Sequence, residues 1–326
     1  MDKKQFGIFS IPVIVGALGY FVDIYDLLLF TIVREPSLRG IGVTDAGMLS
    51  ASTKIINLQM IGLLFGGIIW GVMGDKKGRL SVLFGSIILY SVANYFTAYV
   101  HTPDQYAWAR FVAGIGLAGE LGAGITLVSE LLPKNKRGIG TSMVAGIGLS
   151  GAVVAYFTFY FSNDWRLCYQ IGAGLGILLL FLRISVVESG MFKTLKQSNI
   201  VRGNFFMFFT NAKRFRKYLL AILIGLPTWF VIGILVNLSN RFAAAMYGDK
   251  TLISGRAIMY SYAAIAAGDI ISGLVSQYFK SRKKALYIFY GFSIISGLFF
   301  FSPWNNSNTS MYFVCAALGF STGFWA

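Results

Sequence analysis

The sequence predicts an all-α protein that crosses a membrane about ten times, and three observations predict it. First, 56% of the 326 residues are apolar and 13% are charged, with a mean hydropathy of +0.67, which is not the composition of a water-soluble chain. Second, apolar runs recur that are long enough to cross a hydrocarbon core of roughly 30 Å, a distance that takes about 20 helical residues. Third, the Lys and Arg residues behind the formal charge of +15 fall between those runs. That is how topology signals are distributed, and it argues against nucleic acid as a partner.

Taken in order, the first span covers about residues 11–33, after the basic start Met1-Asp2-Lys3-Lys4. It is too long for a signal peptide and lacks a small-residue cleavage site, so it is expected to stay as a span. Charge and turn residues bound the next five at about 47–73, 80–100, 105–131, 138–162 and 165–187. The stretch Ser189 to Lys217 carries seven Lys and Arg residues and separates these six from four more, at about 218–242, 254–279, 284–302 and 311–326. The expected organisation is a six-helix bundle over 1–188, a basic linker over 189–217 and a partial second bundle over 218–326.

Orientation follows from the basic residues. Lys3 and Lys4, the loop with Lys76, Lys77 and Arg79, the loop with Lys134, Lys136 and Arg137, the linker, and Lys280 to Lys284 all fall on one side. That side, with the N-terminus, is expected to be cytoplasmic. The opposite loops, His101 to Asp104 and Ser302 to Ser310, are short and nearly neutral. Glycosylation-like triplets at Asn305 and Asn308 sit in one of these short loops and read as accidental. Cys168 and Cys315 both lie in apolar runs, so no disulfide framework, metal site or cofactor is expected.

Charges inside a membrane cost at least about 2.5–3.5 kcal/mol on insertion scales, so each intramembrane charge is a candidate for substrate or proton coupling. Asp23 and Asp26, three residues apart, share a face of the first span. Lys54 in the second span comes out at the same depth as Asp26, which allows an ion pair between them, or Lys54 reaches outward to the interface. Arg110 in the fourth span is placed to hold a carboxylate substrate bidentately, to tune a neighbouring acid, or to pair with a first-span aspartate. Glu120 lies deeper, where a desolvated carboxyl suits a proton carrier or else bonds to nearby backbone. Asp269 in the eighth span stands where a first-half repeat has glycine: Gly66 to Leu80 and Gly268 to Lys284 both place glycines before a basic turn. Such repeats suggest two parallel halves around a cavity. Glycines are dense between Gly114 and Gly151, which reads as close helix packing.

The segment Gly71-Val72-Met73-Gly74-Asp75-Lys76-Lys77-Gly78-Arg79 resembles the loop signature of the major facilitator superfamily, and Arg110 to Ala118 resembles its fourth-span signature. Glu130-x-x-Pro133-x-x-x-Arg137-Gly138 resembles the end of that span in sugar and metabolite porters. Asp23-Ile24-Tyr25-Asp26 with Gly119-Glu120 is similar to the metabolite:proton symporters. The resemblance implies a twelve-span fold, here without spans 11 and 12 and so C-terminally incomplete. It also implies alternating access, with Asp75, Arg79, Glu130 and Arg137 as a cytoplasmic gate, against which the alternative is simple solvated loop charges. The expected activity is proton symport of a small anionic metabolite by a monomer in a bacterial inner membrane. A sugar or zwitterion carrier, a receptor-like protein and a non-transporting remnant stay open. An enzyme is disfavoured: the single histidine, His101, is in a loop, and no nucleophile and base stand together.

Overall fold

The computed structural model describes residues 9–133, 137–184, 203–249 and 251–324. These residues form twelve α-helices, with no strand among them. The chain divides into two compact units, Met1–Asn204 and Phe205–Ala326.

The first unit contains α1 (Ile11–Gly40), α2 (Asp45–Lys77), α3 (Arg79–Thr97), α4 (Pro103–Leu117), α5 (Glu120–Leu131), α6 (Arg137–Ser162) and α7 (Trp165–Arg183). Polar caps start several helices: Thr102 accepts from the Gln105 N–H and Asp164 from the Arg166 N–H, each taking up a backbone donor that the first turn leaves without a partner. α1 packs most extensively on α6 and α2 on α4, while α3 lies against α4 and α7. Glycines set these distances. A Cβ on Gly62 would strike the Phe111 carbonyl, one on Gly114 the Gln59 carbonyl, and one on Gly151 the Phe21 carbonyl, so the backbones meet directly. By contrast Gly122, Gly124 and Gly138 face open space, so packing does not explain every glycine of that run.

Two apolar clusters fill the interior. One joins Val22, Leu83, Ile87, Tyr90, Leu117, Leu127 and Leu179, and the other joins Val13, Ala17, Val128, Leu132 and Val144. Large apolar side chains such as Leu64, Phe161 and Phe181 point outward, which fits helices whose outer solvent is hydrocarbon.

The second unit contains a 3₁₀ turn (Phe205–Phe208), α8 (Ala212–Phe230), a π-helical turn (Val231–Val236), α9 (Ser239–Tyr247), α10 (Ser254–Tyr278), α11 (Arg282–Phe300) and α12 (Asn308–Thr322). α10 packs on α12, with Gly319 against the Ser261 carbonyl and Gly268 against the Phe320 carbonyl.

Three boundaries differ from expectation. α1 runs seven residues past the predicted end at 33, taking in Arg34, Glu35 and Pro36, and Arg34 is buried, so charge does not end the helix there. The fourth span is two helices broken at Ala118 and Gly119. The seventh begins at Ala212, inside the expected linker, with the Asn211 side chain accepting from the Lys213 and Arg214 N–H groups. It then widens after Pro227, which cannot donate to the backbone ladder; the Asn237 N–H reaches back five residues to Ile232. Among the described residues, seven helices are long and apolar enough to cross a membrane by themselves, counting α8 together with its π turn. Residues 185–202, with much of the expected linker, lie outside the described residues.

Candidate functional site

The intramembrane charges named from the sequence separate into distinct groups. In the first unit, Asp23, Asp26, Arg110 and Glu120 are all buried. Asp26, on the inner face of α1, is fully enclosed and lies against Gly172 of α7, where the missing side chain leaves room for the carboxylate. Neither of its carboxylate oxygens makes a well-formed hydrogen bond. Arg110 of α4 and Asn94 of α3 are the polar groups that face it.

Arg110 donates from Nη1 to the main-chain carbonyl of Asp26 at 3.3 Å and from Nη2 to Asn94 Oδ1, and its guanidinium carbon lies 5.1 Å from the centre of the Tyr169 ring. The guanidinium is thus fixed by carbonyl, amide and aromatic face rather than by a carboxylate. Nε, like both Asp26 oxygens, has no hydrogen-bond partner. Tyr169 and Tyr106 share a hydrogen bond of 2.7 Å, Tyr106 reaches Ser37 at 3.3 Å, and Trp165 stacks on Tyr106. Four helices therefore bring together one buried polar cluster beside packed aromatic rings, in which Arg110 Nε and both Asp26 carboxyl oxygens lack a well-formed hydrogen bond.

Glu120 is not the lone carboxyl or backbone-bonded acid expected. Arg183, at the last position of α7, binds it through both nitrogens, with Nη1 to Oε1 at 2.8 Å, and both side chains are almost wholly buried. Ser86 donates to Oε1 at 2.7 Å, and Arg183 also donates to the Leu83 carbonyl at 2.8 Å. The sequence reading missed Arg183. It closes the sixth apolar run, where a cation reads as a topology mark, and nothing local to it indicates an acid 63 positions earlier.

Lys54 does not meet Asp26. It pairs with Asp104 at 2.6 Å, and both side chains are more than half exposed. The depth estimate was compatible with a pair, but depth leaves rotation about the helix axis undefined. Gln59, five residues on and so about 140° around the helix, is the α2 side chain that turns inward and donates to the Leu27 carbonyl. Asp269 is buried in α10 of the second unit.

At the other end of α2, Arg79 bridges Asp75 at 3.0 Å and Glu130 of α5 at 3.7 Å, so three of the four expected gate residues are in one cluster. The side chain of Arg137, the fourth, lies outside the described residues. Both cysteines are buried and free, and no group of metal-ligating residues occurs among the described residues. The Asn305 side chain is buried and donates to the Phe300 carbonyl.

Comparison with known proteins bears on the family and the fold. The inner membrane metabolite transport protein YhjE of Escherichia coli is 29% identical over 288 residues, covering 78% of this chain and 63% of that protein. The gentisate transporter of Corynebacterium glutamicum is 22% identical over 279 residues, covering 83% of this chain and 61% of that one. The chain thus spans a little under two thirds of the length of these two relatives. Among solved structures, the proton:xylose symporter XylE superposes with a TM-score of 0.75 at 17% identity, covering 97% of this chain and 80% of that one, which shows a shared fold. The model of the Major Facilitator Superfamily matches residues 6–326. A multi-pass helical protein with most of its buried charges, among the described residues, in the first unit, and matched along nearly its whole length by that model, this chain belongs to the Major Facilitator Superfamily, a family of transporters and not of enzymes.

Proposed function

We propose that the protein is a proton-coupled carrier of a small organic anion, with Arg110 as the anchor for the anion's carboxylate and the first-span aspartates as the proton-carrying groups. The observation that carries this reading is the Asp26 carboxyl group, enclosed on all sides with Asn94 and Arg110 facing it yet without a well-formed hydrogen bond, beside an Arg110 guanidinium whose Nε also lacks one. A carboxylate held this way changes its protonation state according to what binds the adjacent cation. An arriving anion competes for Arg110, and a proton on Asp26 relieves the repulsion between the two negative groups. Loading one thereby favours loading the other, which is the thermodynamic content of symport.

An anionic substrate is supported by the gentisate relative, whose cargo is a carboxylate. The Tyr106, Tyr169 and Trp165 rings pack on one another beside Arg110 and give the guanidinium aromatic surroundings. Glu120 enters through its pair with Arg183, and Asp269 is the corresponding candidate acid of the second unit. The Asp75, Arg79 and Glu130 cluster serves as a gate lock on the basic side, and the charge distribution supports reading that side as cytoplasmic in a bacterial inner membrane. The carrier acts as a monomer.

The test is accumulation of labelled gentisate, as a probe carboxylate, by proteoliposomes under an inward pH gradient. Wild-type protein accumulates it above equilibrium, and Asp26→Asn, with normal insertion, only equilibrates it or fails to move it. Gradient-driven accumulation by Asp26→Asn at the wild-type level overturns the assignment.

A further inference from the structure

Asp23 lies one helical turn beyond Gly19 on the same face of α1. Gly19 is where α1 meets the Glu120–Arg183 pair: a Cβ there would collide with Arg183 Nη2 and sit 3.3 Å from Glu120 Oε2. Positions four apart on a helix have Cβ atoms about 6 Å from one another, so the guanidinium that Glu120 holds is within a short swing of Asp23. The charged groups that act on Asp23 are Glu120 of α5, Arg183 of α7 and Asp26 of α1. The Tyr90 hydroxyl of α3 adjoins the same cluster and has no hydrogen-bond partner. α6, which also packs on α1, brings no charged side chain to this level among the described residues. The next buried cation along α1, Arg34, is about 16 Å further on at 1.5 Å per residue.

The local charge count is uneven. Asp26 has a cation beside it in Arg110. Asp23 and Glu120 have one cation between them, and both Arg183 terminal nitrogens are on Glu120. Asp23 is buried, with Oδ1 lacking any partner. An ionised carboxylate without a counterion is the most costly species such a site can hold, and a proton removes that cost.

We propose that Asp23 holds a proton while Arg183 stays on Glu120, and that Arg183 is a shared counterion whose movement to Asp23 transfers that proton to Glu120. The O–H bond on Asp23 breaks and one on Glu120 forms, so one carboxylate, one carboxylic acid and one guanidinium exist before and after, with no net charge moved out of the cluster. The consequence is mechanical: α7 is tied through Arg183 to α5 in one state and to α1 in the other. Arg183 acts as a positioning residue here. The inference rests on the proton-coupled reading above and names where its proton resides.

The experiment is infrared difference spectroscopy on the full chain reconstituted in lipid without substrate, following the carbonyl stretch of a buried carboxylic acid between neutral and alkaline pH. Wild-type protein shows one such band at neutral pH. Asp23→Asn abolishes it and Asp26→Asn leaves it. Glu120→Gln also abolishes it, because Arg183 released from position 120 pairs with Asp23, whereas Arg183→Gln adds a second band of similar size. Where Arg183→Gln fails to fold, the near-isosteric Asp23→Asn and Glu120→Gln decide. A band that survives in Asp23→Asn, that disappears in Asp26→Asn, or that is missing from wild-type protein overturns the proposal. No substrate enters the measurement, so a failure of gentisate uptake with the expected bands overturns the coupling reading alone.

Discussion

The two units are built from the same kind of helix but bury different chemistry. In the first, Asp23, Asp26, Arg34, Arg110, Glu120 and Arg183 are all enclosed, while in the second Asp269 is the one buried charge among the described residues. The polar interior of the second unit is otherwise hydroxyls and amides. Ser272, Ser321 and Thr322 return their hydroxyls to backbone carbonyls three residues back, and Asn305 ties the loop before α12 to the end of α11. Hydroxyl-to-backbone bonds inside one helix satisfy a polar group locally and cost little. Buried ions need partners from other helices, so they couple the positions of those helices. The difference teaches that, among the described residues, buried charge is concentrated in the first unit.

The largest expected effect tests that concentration. Arg183→Ala leaves Glu120 buried without its cation and should cost about 3–5 kcal/mol, seen as a large drop in the melting temperature of the purified protein; the double replacement Glu120→Leu with Arg183→Met should recover most of it. A single variant as stable as wild type would break the comparison. Next comes a device the units share. Gly62→Val drives a side chain into the Phe111 carbonyl and Gly319→Val into the Ser261 carbonyl. Each should cost about 1–3 kcal/mol or more, and similar losses would confine the difference between the units to their charges. Asn305→Ala, which removes the donor to the Phe300 carbonyl and the acceptor for Ser310, should cost about 1–2 kcal/mol. A loss as large as that of Arg183→Ala would mean that neutral polar groups hold the second unit as firmly as ions hold the first. The smallest effect belongs to Lys54→Ala: its pair with Asp104 is exposed on both sides, so a change of at most about 1 kcal/mol is expected in the same melting assay.

Legibility in the sequence followed how local the responsible physics is. Asp26 and Arg110 stood out because a charge inside an apolar run is conspicuous, and both proved to be buried in one cluster. Lys54 was conspicuous for the same reason and turned out to be surface, because hydropathy along a run does not say which way a given residue faces. Arg183 went unnoticed although it is as buried as Arg110: the end of a run is where cations are expected, and its acid belongs to a helix two elements away. The break at Ala118 and Gly119 and the π turn after Pro227 were likewise hidden, since an apolar run reads the same whether its helix is regular or not.

The sequence by itself determined the membrane class, the all-helical fold, the family motifs and the shared face of Asp23 and Asp26. These depend on run length, charge frequency and helical periodicity, which the hydrocarbon solvent and the 3.6-residue turn impose on each segment separately. The tertiary structure alone decided which charges meet: Glu120 with Arg183, Arg110 with Asn94 and the Asp26 backbone, and Lys54 with Asp104. Those meetings depend on the rotation and closeness of helices. Both are fixed where glycines let one backbone touch another, between positions far apart in the chain, and no local pattern encodes them.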